Sequence, residues 1–378
     1  MNSRRTRLRS ALAVILTVLV LVPTAVLFGR DWQDTSGQQD RTNLEKKGLE
    51  YISALTPLIS ALAEAQSSAV QGVSAAPDSL VAAVARVTAV DNSIGDALKT
   101  RERWADLQAK IGKLPKATGG TVAVLQQHIE VSDLTLALYA AVRRNSELSR
   151  DPASDVSNLQ QAVAIDMPKV VSQVSLMGDL ANMLQSANPK LRATIAIQFG
   201  QEVLNVQDSV NDLTEGLQAA VDDTSSSTLS GSLVSTLDSF RRGVEAMTRG
   251  ANPGGTPNVA TMSTAQTALQ TSLTALAGVT LKEMTKLLDD RSDSLAYRRG
   301  EAVVMGLLAI LLAIGALIWP MVARRRDEAA TPAPRIGEPT RDLPNGRAPG
   351  NGYSGGPYDL QPAYGDNETR RERSGALR

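Results

Sequence analysis

"LEKKGLEYISALTPLISAL", residues 44–62, carries Leu44, Gly48, Tyr51, Leu55, Leu58 and Leu62 at alternating steps of four and three. A repeat of about 3.5 residues holds one stripe of a helix against its neighbour, so the stretch predicts a long helix packed along its length. The same spacing returns down the chain. It runs through Leu80, Val84, Val87, Ile94 and Leu98, with Asp91 on one position of the stripe, and through Phe199, Val203, Val206, Val210, Leu213 and Leu217. It appears again in Leu233, Leu237, Phe240, Val244 and Met247, and in Met262, Leu269, Leu273, Leu276 and Leu287. No stretch alternates with the period of two that a strand needs. The expected fold is all-α: a long antiparallel helical bundle, with two stacked four-helix modules as one way to build it.

Composition agrees. Of 378 residues 43% are hydrophobic but only 3% aromatic, so the core must be built from Ala, Val, Leu and Ile. The formal charge is zero, which gives no reason to expect nucleic acid as a partner. There is no cysteine, which excludes disulfides, thiolate zinc sites and cysteine nucleophiles.

Breakers divide the helical text at "SAAPDS", "LPKATGG", "SRDPAS", "SANPK", "DDTSSS" and "RGANPGGTPN". Between them lie seven helices, at about 31–72, 77–112, 120–148, 152–186, 190–222, 229–249 and from 258 onward. Asp151 and Pro152 suit a helix start, as cap and first-turn residue. Pro168 should kink or interrupt the helix that follows.

Two apolar segments set the topology. Residues 11–28 and 302–323 contain 18 and 22 residues without a charge, enough at about 1.5 Å each to span a bilayer core. A cleaved signal peptide is the other reading of the first, but no small-residue cleavage pattern follows it. Arg4, Arg5, Arg7 and Arg9 precede the first segment and Arg324, Arg325 and Arg326 follow the second, which puts both termini in the cytoplasm. The expected organisation is a basic N-terminus (1–10), a span (11–29), an extracytoplasmic helical region (30–299), a second span (301–323) and a cytoplasmic tail (324–378) in a bacterial inner membrane. Seven passes cannot leave and re-enter the same membrane, so one helix must break or cross sideways, at Pro168 or near Gly95 in "IGDALKTRERW". The first and last helices should run straight out of the spans, since no breaker separates them. The tail has 7 Pro and 8 Gly in 55 residues, a disordered composition; "TPAP" and the Tyr-bearing stretch could dock a cytoplasmic partner.

Residues 45–72, 81–111 and 142–181, which contain "GLEYISAL", "IGDALKTRERWADL" and "SRDPASDVSNLQQAVAIDMPKV", resemble in that order the extracytoplasmic sensory region of bacterial methyl-accepting chemotaxis receptors and related sensors. The matching positions are Gly48, Tyr51, Trp104, Asp151, Pro152 and Pro168. The resemblance implies a ligand-sensing bundle that relays to the cytoplasm. The chain departs from that family where a basic pair usually ends the first helix, here "SSAVQG", and after the Asp-Pro turn, here "SNLQQA". The 55 residues after the second segment also carry no HAMP linker or signalling hairpin.

Few residues suggest chemistry. His128 is the only histidine, so a multi-histidine metal site is excluded, and a partly exposed helical position is expected for it. No phosphate-binding loop or zinc spacing occurs. Asp222–Asp223 and Asp289–Asp290 diverge by about 100° on a helix, which suits solvated charges. No cofactor, metal or enzyme activity is expected. Asp91, Arg101, Arg103 and Trp104 are the candidate ligand-binding residues, for a small anion or planar ligand; a structural network is the other reading. Two functions stay open, a membrane sensor that relays to a separate partner and a structural scaffold of the envelope. A sensor should keep a polar cavity between helices. A homodimer is expected, with Gly306 and Gly315 allowing close packing of second spans.

Overall fold

A computed structural model describes residues 2–148, 154–224, 227–252 and 256–329. The chain is all-α; the described residues contain no strand. The helices are α1 (Asn2–Val70), α2 (Asp78–Leu98), α3 (Arg101–Ile111), α4 (Thr121–Asn145), α5 (Ser154–Gln161), α6 (Met167–Ser186), α7 (Pro189–Asp223), α8 (Ser227–Ala251) and α9 (Val259–Ala329). The expected start at Asp151 and Pro152 and the tail beyond residue 329 lie outside the described residues.

As expected, α1 and α9 continue unbroken into the two apolar segments. Within Val259–Ala316, α9 is long and apolar enough to cross a membrane, with a mean hydropathy of 1.8 in its most apolar window and none of that window buried. It is the one such helix found among the described residues. Much of the first apolar segment has no described side chains; of those described, Leu19, Val20, Val22 and Leu27 are exposed.

The register against α1 follows from individual contacts. Ser79 donates to Glu64 at 2.7 Å and Tyr51 to Asp91 at 2.8 Å, so α2 runs antiparallel to α1. Gly48 faces Ser146 at the far end of α4, which is also antiparallel. Ser175 donates to the Ala63 carbonyl and Gln66 to Asp179, which makes α6 parallel to α1. Lys46 meets Asp289, and Phe28 lies against Gly306, so α9 returns antiparallel. These neighbours lie side by side along one length of α1 rather than end to end in two modules. Their shared core holds Tyr51, Leu55, Leu58 and Leu62 of the predicted stripe at 0–1% exposure, with Gly48 also buried, Leu44 half-buried, and Ile52 buried beside them.

The odd number of helices is resolved at the second of the two expected places. Lys99 adopts a left-handed backbone (φ 53°) and the Thr100 N–H closes the turn on the Gly95 carbonyl at 2.9 Å. The chain folds back there: Trp104 and Gln108 of α3 both donate to Thr88 of α2, each at 3.3 Å. One expected helix is thus two antiparallel ones. Just before Pro168 the α-helix is interrupted, as expected. Ala162–Asp166 form a π turn, and Pro168 follows in the first turn of α6. Widening the turn relieves the clash a proline ring makes with the carbonyl four residues earlier. At the breaker "SANPK", Asn188 caps α7 by accepting from the Lys190 and Leu191 N–H groups, with Pro189 in the first turn.

Candidate functional site

A groove of about 570 Å³ opens where α2 and α9 flank α1. Its floor is partly apolar, from Leu49 and Ala54 of α1, Val90 of α2 and Leu281 of α9; its rim is charged, with Lys46, Glu50, Arg86, Lys282 and Asp289. It arises because α1 carries a second stripe, Lys46, Leu49, Glu50 and Ser53, which faces the gap between its two neighbours. On the rim, Lys46 is paired with Asp289 at 2.7 Å. Arg86 and Lys282, on opposite walls and both exposed, form no ion pair among the described residues. The volume is within the range of small-molecule sites. Two other described cavities hold only about 10 and 20 Å³.

From the groove's lower edge a polar seam fastens α1 to α9. Below Lys46–Asp289, Arg291 reaches the buried Glu45 at 3.3 Å, Gln39 donates to Ser292 at 3.0 Å and Arg299 to Ser36 at 2.8 Å. Arg299 also stands over the Trp32 ring at 5.2 Å, and Trp32 stacks on Phe28 with centroids 6.1 Å apart. Phe28 in turn fills the space over Gly306, 3.2 Å from where a Cβ would stand. Gly306 therefore packs against α1 of its own chain, while Gly315 faces open space.

The four expected binding residues do not converge on one opening. Asp91 is buried, and its Oδ1 accepts from Tyr51 at 2.8 Å and from Thr100 at 2.6 Å. Burial, with Asp91 beside it, pushes the Tyr51 phenol far above its ordinary range. This network holds the α2–α3 turn against α1. Arg101 is exposed, pairs with Asp96 at 2.5 Å and donates to the Asn92 carbonyl at 3.1 Å, which closes the same turn from outside. The Asp96 carboxyl is held below its usual value by that bond. Arg103 points to solvent. Trp104 is buried as a wedge between α2 and α3.

The sequence reading missed the groove residues. Arg86 and Lys282 fall off the apolar stripes and read as ordinary surface charges; only the gap between α2 and α9 makes them rim residues. It also missed a second buried network, in which Gln66 donates to Asp179 at 2.8 Å. Burial raises the Asp179 carboxyl to about 6 although the Gln66 and Ser67 side chains oppose the shift. His128 is a correction: it is 3% exposed, not partly exposed. No group of three or more potential metal ligands occurs among the described residues. No protein-family model matches the chain, and neither a curated protein nor a solved structure matches it.

Proposed function

We propose that the chain is a two-pass inner-membrane sensor, with residues 30–299 outside and both termini in the cytoplasm, that converts occupancy of the α1–α2–α9 groove into a shift of α9 against α1. One observation carries this reading. The Lys46–Asp289 pair is at once part of the groove's rim and the top rung of the seam between the two helices that run into the apolar segments. An occupant that competes for either charge acts directly on that seam. Arg86 and Lys282 favour an organic anion with an apolar body lying on Leu49, Val90 and Leu281. The resemblance to chemoreceptor sensory regions points the same way. A separate cytoplasmic protein reads the shift, through the 324–378 tail, and a homodimer is the working assembly.

The test is thermal unfolding of the purified full chain in detergent against carboxylates, phosphates and amino acids. A ligand of the folded form raises the unfolding temperature by mass action. A saturable rise with organic anions, abolished by replacing Arg86 and Lys282 with alanine, supports the sensor. A flat response across the library, from a sample that unfolds cooperatively, favours the envelope scaffold. The small size of the other described cavities suits that alternative.

A further inference from the structure

His128 stands on α4 with both ring nitrogens buried and without a hydrogen-bond partner. It lines a cavity of about 10 Å³ closed by Ala65 and Ala69 of α1, Val73 of the 71–77 loop, Leu80 of α2, and Leu114 and Pro115 of the turn before α4. That lining contains no carboxylate and no cation besides the imidazole itself. The charged residues along the same elements face away: Glu64, Asp78, Lys113 and Lys116 are exposed, and Glu64 already accepts from Ser79. On α4 itself Glu130 is exposed and paired with Lys110, and Asp133 is exposed. An imidazolium here would be a buried charge with nothing to answer it.

We propose that the α1–α2–α4 end of the helical region is an acid-opened latch, in which protonation of His128 releases the 71–77 loop and admits water between α1 and α4. The loop is the yielding part because it is exposed from residue 71 to 76, while the helices beside it are held by core residues. The direction follows from linkage. Burial depresses the imidazole in the closed form, whereas an exposed ring titrates near 6.5. The open form therefore binds the proton more readily, and the closed form loses stability as pH falls through 6.5. For a ring at about 6.5 when open, the opening equilibrium rises by up to about thirtyfold at pH 5.0. Envelope acidification is then a second input, independent of the groove.

The experiment is amide hydrogen exchange on the full chain in detergent at pH 7.5 and 5.0, corrected for the intrinsic pH dependence of exchange, alongside proton NMR of the single histidine ring. Exchange in residues 65–80 and 121–131 should rise by up to about thirtyfold at pH 5.0, and the ring should titrate below 6.5. His128→Leu, which fills the site without a titratable group, should lose that rise. An equal rise in His128→Leu would overturn the latch. So would a ring that titrates at or above 6.5, or unchanged exchange in the wild-type chain once the ring is protonated; the last two results need no variant to fold.

Discussion

Gly48 offers the sharpest test of how the helices pack. It sits inside α1, where alanine gains about 1 kcal/mol of helix propensity over glycine. A methyl group there, however, would overlap Oγ and Cβ of Ser146 and stand 2.9 Å from Leu148 Cδ1. Ser146 and Leu148 are both fully buried, and the Ser146 hydroxyl is committed to the Val142 carbonyl at 2.7 Å. A rotamer change cannot clear the space, so the end of α4 must move. Overpacking of this kind costs about 1–3 kcal/mol, and the lost hydroxyl bond about 1 kcal/mol more. Set against the propensity gain, Gly48→Ala should lose about 1–3 kcal/mol, or roughly 2–10 °C in unfolding temperature for a region of this size. Gly216, about two turns from the C-terminal end of α7, has nothing within 4 Å of the same methyl. Gly216→Ala should therefore gain about 1 kcal/mol. Scanning calorimetry of the two variants beside the wild type decides it. Shifts of the same sign in both would refute the packing of α1 on α4.

Tyr51→Phe removes a buried donor from Asp91 and should cost about 1.5–3 kcal/mol in denaturant unfolding, the range for a bond to a charged group; a change below about 0.5 kcal/mol would show that Asp91 does not depend on it. Asp179 holds its proton up to about pH 6 when folded but only to about 3.8 when unfolded, so the folded form binds more protons in that interval. Its contribution is full at low pH and is lost as pH rises through about 6. Asp179→Asn should flatten that dependence and be at least as stable as the wild type at pH 7, read from unfolding curves at pH 4, 5, 6 and 7. Cysteines placed at Gln39 and Ser292 of this cysteine-free chain should be joined by a short bis-maleimide, because those side chains touch at 3.0 Å. Adding Gly306→Leu, whose side chain would collide with Phe28, should reduce the yield several-fold.

The main lines of the fold were legible because they depend on spacing alone. The six stripe positions of residues 44–62 need no partner to be recognised, and the continuity of α1 and α9 with the apolar segments follows from the lack of breakers. The fold-back at Lys99 was legible only as one of two options. Lysine has no preference for a left-handed backbone, and the turn depends on the Tyr51–Asp91–Thr100 bonds, which join residues far apart in sequence. The interruption at Pro168 was legible from that residue alone; its form, a π turn over Ala162–Asp166, was not. His128 was misjudged because Gln126, Gln127 and Glu130 beside it suit an exposed face and do not reveal what covers the ring. The groove is a space between three helices, and its rim charges become visible only when Arg86 and Lys282 are brought to face each other.

The two helices that lead into the apolar segments differ in stiffness. Pro23 and Pro57 lie inside the continuous α1, and neither has a backbone N–H to donate. From Val259 to Trp319, α9 has no proline, a rod of about 90 Å at 1.5 Å per residue. From Asp289 to Trp319, therefore, α9 has no proline to act as a joint, whereas α1 has Pro23 in its apolar segment. On the proposed sensor reading, the pair would work as a piston beside a guide, with the stroke in α9.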